Sequence, residues 1–375
     1  MIYFTKPSIT DQEKKYVSDA LDSEQLSGDK KYTKLCTEWF NHYGFKNFLL
    51  TTSGSSALEL AAILSKIKPG DEFITPSFTF SSTANAFMLR GAKPIFAEIN
   101  PDTMNIDVDK IEPLITPKTK VIVPVDYAGV SCDMDRINQI AKRHHLMVVE
   151  DAAQAIGSKY KGQPCGLFSD VACFSFHETK NFTMGEGGAV YIKNDQLMEE
   201  AEIIREKGTN RKQFLHGQVD KYSWYMVGSS ILPSDVLAAI LYGQLQRFND
   251  MLSHRLNLWR QYYTKLTSLE SSGLLRLPHI PDYAEHNAHI FFILLNDEKT
   301  RNDLLYFFKE HDIVATFHYL PLHSSPLGQK YGYKPEDLPV TEEYAKRLLR
   351  LPLYHDMTSA EVDKVYSALK EFFEK

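Results

Sequence analysis

The chain alternates short apolar runs with longer amphipathic stretches, and the spacing of the apolar positions predicts most of its elements. Thr10-Asp11-Gln12-Glu13 fits a capping box, so a helix should run from there to about Leu21. Residues 31–43 read as a second helix, with Gly44 placed to end it. Phe48-Leu49-Leu50-Thr51-Thr52 predicts a short buried strand that runs into Ser53-Gly54-Ser55-Ser56 and a helix over 57–67. Strands are then expected at 73–75, 94–99, 120–125 and 146–150, with helices at 82–89, 108–115 and 134–144 between them. Short apolar strands divided by helices argue for crossover units, and so for an α/β fold with a mainly parallel sheet covered on both faces.

After Asp151 the pattern continues with a polar turn at Lys161-Gly162, strands at 171–175 and 188–192, and a helix over 195–206. Residues 207–222 are polar and aperiodic, which suits a functional loop better than a linker. A long helical region from 234 to about 269 leads to a second section. There, strands at 274–277 and 289–295 alternate with helices at 299–311 and 342–350, and Thr358-Ser359-Ala360-Glu361 caps a last helix. The expected division is a large part over residues 1–245 and a smaller α/β part over 246–375.

Composition narrows this picture by exclusion. A chain of 375 residues exceeds one ordinary core. Its net charge of −6 gives no footprint for nucleic acid. No apolar run is long enough to span a bilayer and the N-terminus lacks a signal-peptide pattern, so a cytoplasmic protein is expected. Cys36, Cys132, Cys165 and Cys173 lack CxxC spacing, and reduced thiols are expected in place of disulfides or a zinc site. His286/His289 and His318/His323 have no carboxylate or thiolate at ligand spacing, so no metal is expected there.

Three places remain where a parallel sheet would put its ligands, at the carboxyl ends of strands. Ser53-Gly54-Ser55-Ser56 sits at a strand-to-helix turn, where small residues and free N–H groups suit a phosphate or a plain serine cap. There is no Walker lysine and no GxGxxG. Val148-Val149-Glu150-Asp151-Ala152-Ala153-Gln154 ends an apolar strand in an acidic pair, which needs a cationic partner unless it caps a loop. Lys180 lies between a strand ending at Ser175 and the turn Gly185-Glu186-Gly187-Gly188. A free lysine, with a pKa of about 10.4, is a poor nucleophile until it is desolvated.

Together these segments resemble one family. Thr75-Pro76-Ser77-Phe78-Thr79-Phe80-Ser81-Ser82-Thr83-Ala84-Asn85, Val149-Glu150-Asp151-Ala152-Ala153-Gln154, Ser175-Phe176-His177 with Lys180, and Gly185-Glu186-Gly187-Gly188 are similar in order and spacing to the DegT/StrS sugar-nucleotide aminotransferases. These are fold type I, aspartate-aminotransferase-like enzymes that use pyridoxal 5'-phosphate (PLP). The resemblance implies that Lys180 is the Schiff-base lysine and the base, that Asp151 pairs with the pyridine nitrogen, and that Gln154 lies near the phenolic oxygen. Phe80 is implied to stack on the ring, and Gly54, Ser55 and Ser175 to hold the phosphate. His318 and Tyr319 resemble a substrate-side segment.

Narrower marks are His177-Glu178-Thr179-Lys180-Asn181, Arg205-Glu206-Lys207-Gly208-Thr209-Asn210-Arg211 and Gly217-Gln218-Val219-Asp220-Lys221-Tyr222. They resemble the branch that serves enterobacterial common antigen synthesis, the dTDP-4-oxo-6-deoxyglucose transaminases. That likeness implies L-glutamate as donor, a dTDP-linked sugar as acceptor, and a homodimer with its sites at the interface. Lys207, Arg211, Lys212 and Lys221 would then be cations for the diphosphate. Relatives that act as dehydratases replace the lysine with histidine, and relatives that act as regulators carry a DNA-binding module; this chain has Lys180 and no basic recognition helix. The sequence departs from the family at Pro124-Val125-Asp126, where histidine is frequent, and at Gly228-Ser229-Ser230, where many members have asparagine. The first departure predicts a substrate contact that has turned acidic.

Overall fold

The computed structural model describes residues 1–215, 217 and 219–374, the side chains of Lys212 and Leu215 excepted. The capping box forms as predicted and starts α1 (Asp11–Asp22). Gly44 takes a φ of +119°, a conformation glycine adopts without strain, and ends α2 (Lys31–Tyr43). Strand β1 (Phe48–Thr51) leads into α3 (Gly54–Leu64), which begins three residues earlier than the sequence suggested. The reason is local: the Ser53 hydroxyl accepts the Ser56 N–H at 3.0 Å, so the glycine and serines form the helix's first turn.

Next come β2 (Glu72–Pro76), α4 (Ser81–Met88) and β3 (Lys93–Ala97). The helix expected over 108–115 is instead two 3-10 turns, Val108–Lys110 and Glu112–Leu114; Pro113 inside this stretch has no N–H for a continuous ladder. Strand β4 (Thr119–Ile122), α5 (Met134–His144), β5 (Met147–Asp151), β6 (Lys159–Tyr160), β7 (Gln163–Pro164), β8 (Val171–Ser175), β9 (Gly188–Ile192) and α6 (Asp195–Arg205) complete the first section. Its main sheet has the order β1-β9-β8-β5-β4-β2-β3. Neighbours from β8 to β3 are parallel, and β9 alone runs against both β1 and β8. Apolar clusters around Phe40, Phe48 and Phe174 and around Leu58, Phe73 and Val149 are built on this sheet. The carboxyl ends of β1, β2, β4, β5 and β8 therefore gather along one edge.

The polar loop contains one short helix, α7 (Arg211–Leu215). The long helix expected from 234 is two helices, α8 (Asp235–Gln246) and α9 (Phe248–Ser271). Arg247 between them leaves helical geometry (φ −107°, ψ 14°), and its guanidinium donates to Ser8 O at 3.0 Å and Glu13 Oε1 at 2.8 Å. These bonds tie the break to α1, a tertiary reason that helical periodicity could not show.

The last section holds β10 (Leu275–Arg276), β11 (Ala284–Glu285), β12 (Phe291–Leu295), α10 (Glu298–Glu310), α11 (Pro326–Lys330), α12 (Pro339–Arg347), β13 (Leu348–Leu351) and α13 (Ser359–Glu374). Strand β11 pairs with β6, while β10-β12-β13 form an antiparallel sheet. Residues 348–350, read from the sequence as the end of a helix, are strand. Their apolar run alternates sides: Leu349 and Leu351 pack with Leu258, Phe291 and Val365, while Leu348 packs with Phe78, Tyr127 and Phe292. Near the other end of the chain, Ile2 forms a parallel bridge to Ile313 and packs in the same cluster as Leu349.

Candidate active site

The carboxyl edge of the main sheet opens into a cavity of about 680 Å³ whose far wall comes from β13 and the His318-Tyr319 segment. Gly54, Ser55, Phe80, Asp151, Gln154, Ser175, Lys180, His318 and Tyr319 all line it. Residues far apart in sequence, each singled out for a different chemical reason, are thus brought to one space.

Lys180 follows β8 in a turn closed by its N–H to His177 O at 2.9 Å. Burial lowers its ammonium pKa to about 8; the Asp151 carboxylate pulls the other way and the Arg350 guanidinium adds to the lowering. Far more of the side chain is therefore free amine near neutrality than an ordinary lysine offers, as a nucleophile or base requires. Asp151 ends β5 and is 5% exposed. Its Oδ2 accepts Thr83 Oγ1 at 2.6 Å and its Oδ1 accepts the Ala153 N–H at 3.2 Å. Burial nevertheless raises its pKa, with these bonds and the Lys180 charge opposing. A cationic partner would settle this carboxylate.

Two glycines let backbone reach the start of α3. A Cβ on Gly54 would lie 2.9 Å from Ser175 Cβ, and one on Gly188 would lie 2.5 Å from Gly54 N. The pair packs β8, β9 and the N-terminus of α3 together, with Ser55 Oγ held 2.6 Å from Ser82 Oγ. The first turn of a helix, small hydroxyls and no intervening side chains make an anion cradle.

Gln154 is fixed from two sides. Its Oε1 accepts the N–H of Ala128 at 2.8 Å and its Nε2 donates to Tyr319 Oη at 3.1 Å. Asn287 Nδ2 donates to Gln154 O at 2.7 Å, and Asn181 Nδ2 donates to Asn287 O at 2.8 Å, so the residue after Lys180 ties both walls of the cavity together. Phe80 is 61% exposed, unusual for so large an apolar ring, and borders the same cavity. The set comprises an anion cradle, a carboxylate needing a cation, a neutral amide, an open aromatic face and a desolvated amine. It fits a planar, phosphorylated, protonated pyridine carrying a carbonyl.

His318 stacks on Tyr319 with ring centroids 3.8 Å apart, and its Nδ1 lies 3.3 Å from Tyr127 Oη. Burial and the nearby Arg350 charge hold its pKa well down. Sequence reasoning missed Arg350, which lines the cavity from β13; its signal was one charged residue inside Leu348-Leu349-Arg350-Leu351. His289, whose Nδ1 faces Asn181 Oδ1 at 3.0 Å, was also missed as a lining residue.

Lys207, Arg211 and Lys221 are not brought to this cavity. All three are exposed, with Lys207 and Arg211 lying 3.9 and 3.8 Å from Glu206 Oε2. The Lys212 side chain and Gln218 lie outside the described residues. Asp126 corrects the expectation of an acidic substrate contact: it is fully buried, faces Glu150 and does not line the cavity.

Residues 7–370 match the DegT/DnrJ/EryC1/StrS aminotransferase family. The spore coat polysaccharide biosynthesis protein SpsC of Bacillus subtilis is 35% identical over 377 residues, spanning 98% of this chain and 96% of its own length. Among solved structures, the sugar aminotransferase candidate Spr1654 of Streptococcus pneumoniae superposes in its PLP form with a TM-score of 0.92 at 27% identity, covering 100% of this chain and 98% of that one. PseC of Helicobacter pylori, an aminotransferase of pseudoaminic acid biosynthesis, gives a TM-score of 0.92 at 27% identity and covers 100% and 99%.

Proposed function

Since the chain belongs to the DegT/DnrJ/EryC1/StrS aminotransferase family, with the fold type I architecture and the PLP cofactor of those sugar aminotransferases, we propose the following reaction. The enzyme moves the amino group of L-glutamate to carbon 4 of dTDP-4-oxo-6-deoxy-D-glucose, giving dTDP-4-amino-4,6-dideoxy-D-galactose. The observation that carries this reading is the desolvated amine of Lys180 beside Asp151 in a cavity ending at the start of α3. His177 and Thr179, from a segment that marks the narrower branch, line the same cavity and so support the finer choice of acceptor.

Under this proposal Gly54, Ser55 and Ser175 hold the cofactor phosphate, Phe80 covers one face of the ring, and Gln154 meets its phenolic oxygen. Asp151 keeps the ring nitrogen protonated, and the positive ring in turn stabilises the Asp151 carboxylate. When bound, PLP supplies a carbonyl that captures amines and a ring that accepts electrons from a carbon losing its proton. The Lys180 amine would take the α-proton of the donor and deliver it, on the same face, to the carbon that the cofactor's carbonyl supplies. In the second half-reaction it moves a proton between the same positions in reverse. A single flexible base serves both halves because both protons move on one side of the ring.

A homodimer belongs to the proposal, with Lys207, Arg211 and Lys221 serving the sugar nucleotide of the partner. Supporting it, Tyr222, Trp224, Tyr225 and Val227 in and beside that loop are 54, 78, 63 and 61% exposed, a cluster of large apolar side chains in water of the kind that marks an interaction surface. The division at about residue 245 is proposed with support from the helix break at Arg247. A cytoplasmic location is likewise proposed; no helix among the described residues is long and apolar enough to cross a membrane.

Purified PLP-loaded protein should be given glutamate and a panel of nucleotide-linked oxo-deoxy sugars, with amine position and configuration read by NMR. Turnover of the 4-oxo sugar to the galacto amine is expected. Failure to convert any 4-oxo sugar would sink the assignment.

A further inference from the structure

We infer that His323 is a positioning residue for the reaction. Through Ser77 it locks the segment carrying His318 and Tyr319 onto the loop carrying Phe80, so that these two walls meet the substrate as one piece. The inference rests on the transaminase reading above and adds to it a residue pair that does not line the cavity.

Tyr319 stands in residues 317–321, which belong to no helix or strand. Such a segment keeps its place only through its anchors. Upstream, Thr316 and Arg350 exchange backbone bonds at 3.2 and 2.7 Å. Downstream, the anchor is a single serine. Ser77 O accepts the Leu322 N–H at 3.0 Å, Ser77 Oγ accepts the His323 N–H at 2.9 Å, and Ser77 Oγ lies 2.7 Å from His323 Nδ1. Ser77 and His323 are both fully buried. A Cβ on Gly328 would lie 2.1 Å from Leu322 O and 2.3 Å from His323 O, so α11 closes over this anchor only because glycine stands there.

The proton positions follow from the partners. Ser77 Oγ already accepts a backbone N–H, so its own hydrogen goes to Nδ1 and the ring proton sits on Nε2. That proton faces Pro335 O and Glu342 Oε1, each 3.5 Å away. Burial holds the ring's pKa down, with Pro335 O and the Glu342 charge opposing, in keeping with a neutral ring. The order Ser77–His323–Glu342 has the look of a hydrolytic relay, but the serine is sealed from solvent and from the cavity. Holding two segments together is the role that remains.

What the anchor holds is the site itself. Phe78 and Phe80 follow Ser77 and meet the Tyr319 ring, with centroids 5.5 and 6.4 Å away. Tyr319 Oη in turn accepts Gln154 Nε2 at 3.1 Å. Without the link the Tyr319 segment loses its downstream anchor, and misplacement by one ångström at a reacting site costs on the order of 10²-fold.

The test uses the PLP-loaded protein and the variants H323L, H323N, S77A and S77A/H323L. Leucine fills the space but accepts no bond, whereas the amide oxygen of asparagine takes the place of Nδ1. H323L should slow a single turnover with glutamate, followed by cofactor absorbance, by about tenfold or more. It should also shift the visible absorbance of the loaded protein, because Gln154 loses Tyr319 beside the cofactor's oxygen. Phosphate affinity of the apoprotein should change less than twofold, since the cradle at Gly54 stands apart from this link. H323N should recover most of the rate, S77A should lose less than H323L, and the double variant should be no worse than H323L. A folded H323L with wild-type rate and spectrum would overturn the inference. So would an equal loss of phosphate affinity, an H323N no better than H323L, or losses that multiply in the double variant. If H323L does not fold, an unaltered rate and spectrum in S77A would overturn it. A wild type that fails to react with glutamate would refute the donor assignment, and the absorbance shift would then decide the link.

Discussion

The carboxyl groups of Asp126 and Glu150 meet in the core, paired with no cation among the described residues. Both residues are fully buried, and their nearest oxygens, together with Cys165 Sγ, fall within 4.8 Å of one another. Asp126 Oδ1 accepts the Cys132 N–H at 2.9 Å, but Asp126 Oδ2 and both Glu150 oxygens receive no well-aligned hydrogen bond from another described residue. One proton shared between the acids resolves this, as it does wherever two carboxylates occupy one dry site. Asp126 is pushed well up by burial and then by Glu150, and Glu150 is raised by burial with its bond to Asp126 opposing. Glu150 sits one residue before Asp151, the carboxylate that β5 presents to the cavity.

The raised acids predict a pH dependence of stability. A carboxyl whose folded pKa exceeds its unfolded value stabilises fully below the ordinary carboxylate range, and that stability is lost as pH rises toward the folded pKa. Wild-type protein should therefore weaken as pH climbs above the usual carboxylate range. Asp126→Asn, which can donate to Glu150 without sharing a titrating proton, should flatten that decline and gain about 1–3 kcal/mol at the alkaline end. Chemical denaturation of apoprotein across pH checks this; equal slopes for the two proteins would refute the shared proton.

Lys180 should set the pH dependence of cofactor capture. Only its neutral amine attacks a carbonyl, so covalent uptake of PLP by apoprotein should rise through about pH 8. The Asp151 charge holds the lysine's pKa up, so in Asp151→Asn the inflection should move to lower pH. Lys180→Ala should lose the covalent chromophore and at least ~10²-fold in turnover. A retained chromophore in Lys180→Ala would remove the lysine from its role.

Gly188→Ala tests the cradle. The new methyl would lie 2.5 Å from the backbone of Ser53 and Gly54, which has no flexible end to move aside. Global stability should fall by about 1–3 kcal/mol. Inorganic phosphate should also bind more weakly, because the start of α3 is pushed off its strand. Denaturant melts and phosphate protection of the apoprotein measure the two effects separately.

Trp224→Asp tests the proposed assembly. Sedimentation velocity should show dimers for the wild type and monomers for the variant, with the tryptophan emission of the wild type shifting to longer wavelength on dilution. Identical sedimentation of both proteins at all concentrations would remove this surface from the interface.

The main sheet was readable because its order comes from local signals: apolar runs of strand length, a capping box at Thr10 and a helix-ending glycine at 44. Lys180, Asp151 and Gln154 were readable for a related reason, since each ends or follows such a run and polar residues there need a chemical purpose. Arg350 was not. Its segment continues the periodicity of α12, and only pairing with β12, some sixty residues earlier, makes it strand. The break at Arg247 and the burial of Asp126 were hidden likewise, because their partners Glu13 and Glu150 are remote in sequence. Local pattern reports what a segment can form, while distant contacts decide which way its side chains face.

Phe4 and Thr5 border the cavity, and Phe4 covers the guanidinium of Arg350. A ribosome thus lays down one wall of the pocket, Phe4, hundreds of residues before its neighbour Arg350. The bridge from Ile2 to Ile313 cannot close before most of the protein has been synthesised. The main sheet can condense meanwhile, but the pocket waits on contacts of very large sequence separation, a slow class of folding event. Cofactor binding should consequently follow synthesis of both walls, and changes at residues 2–5 should be felt first at the pocket.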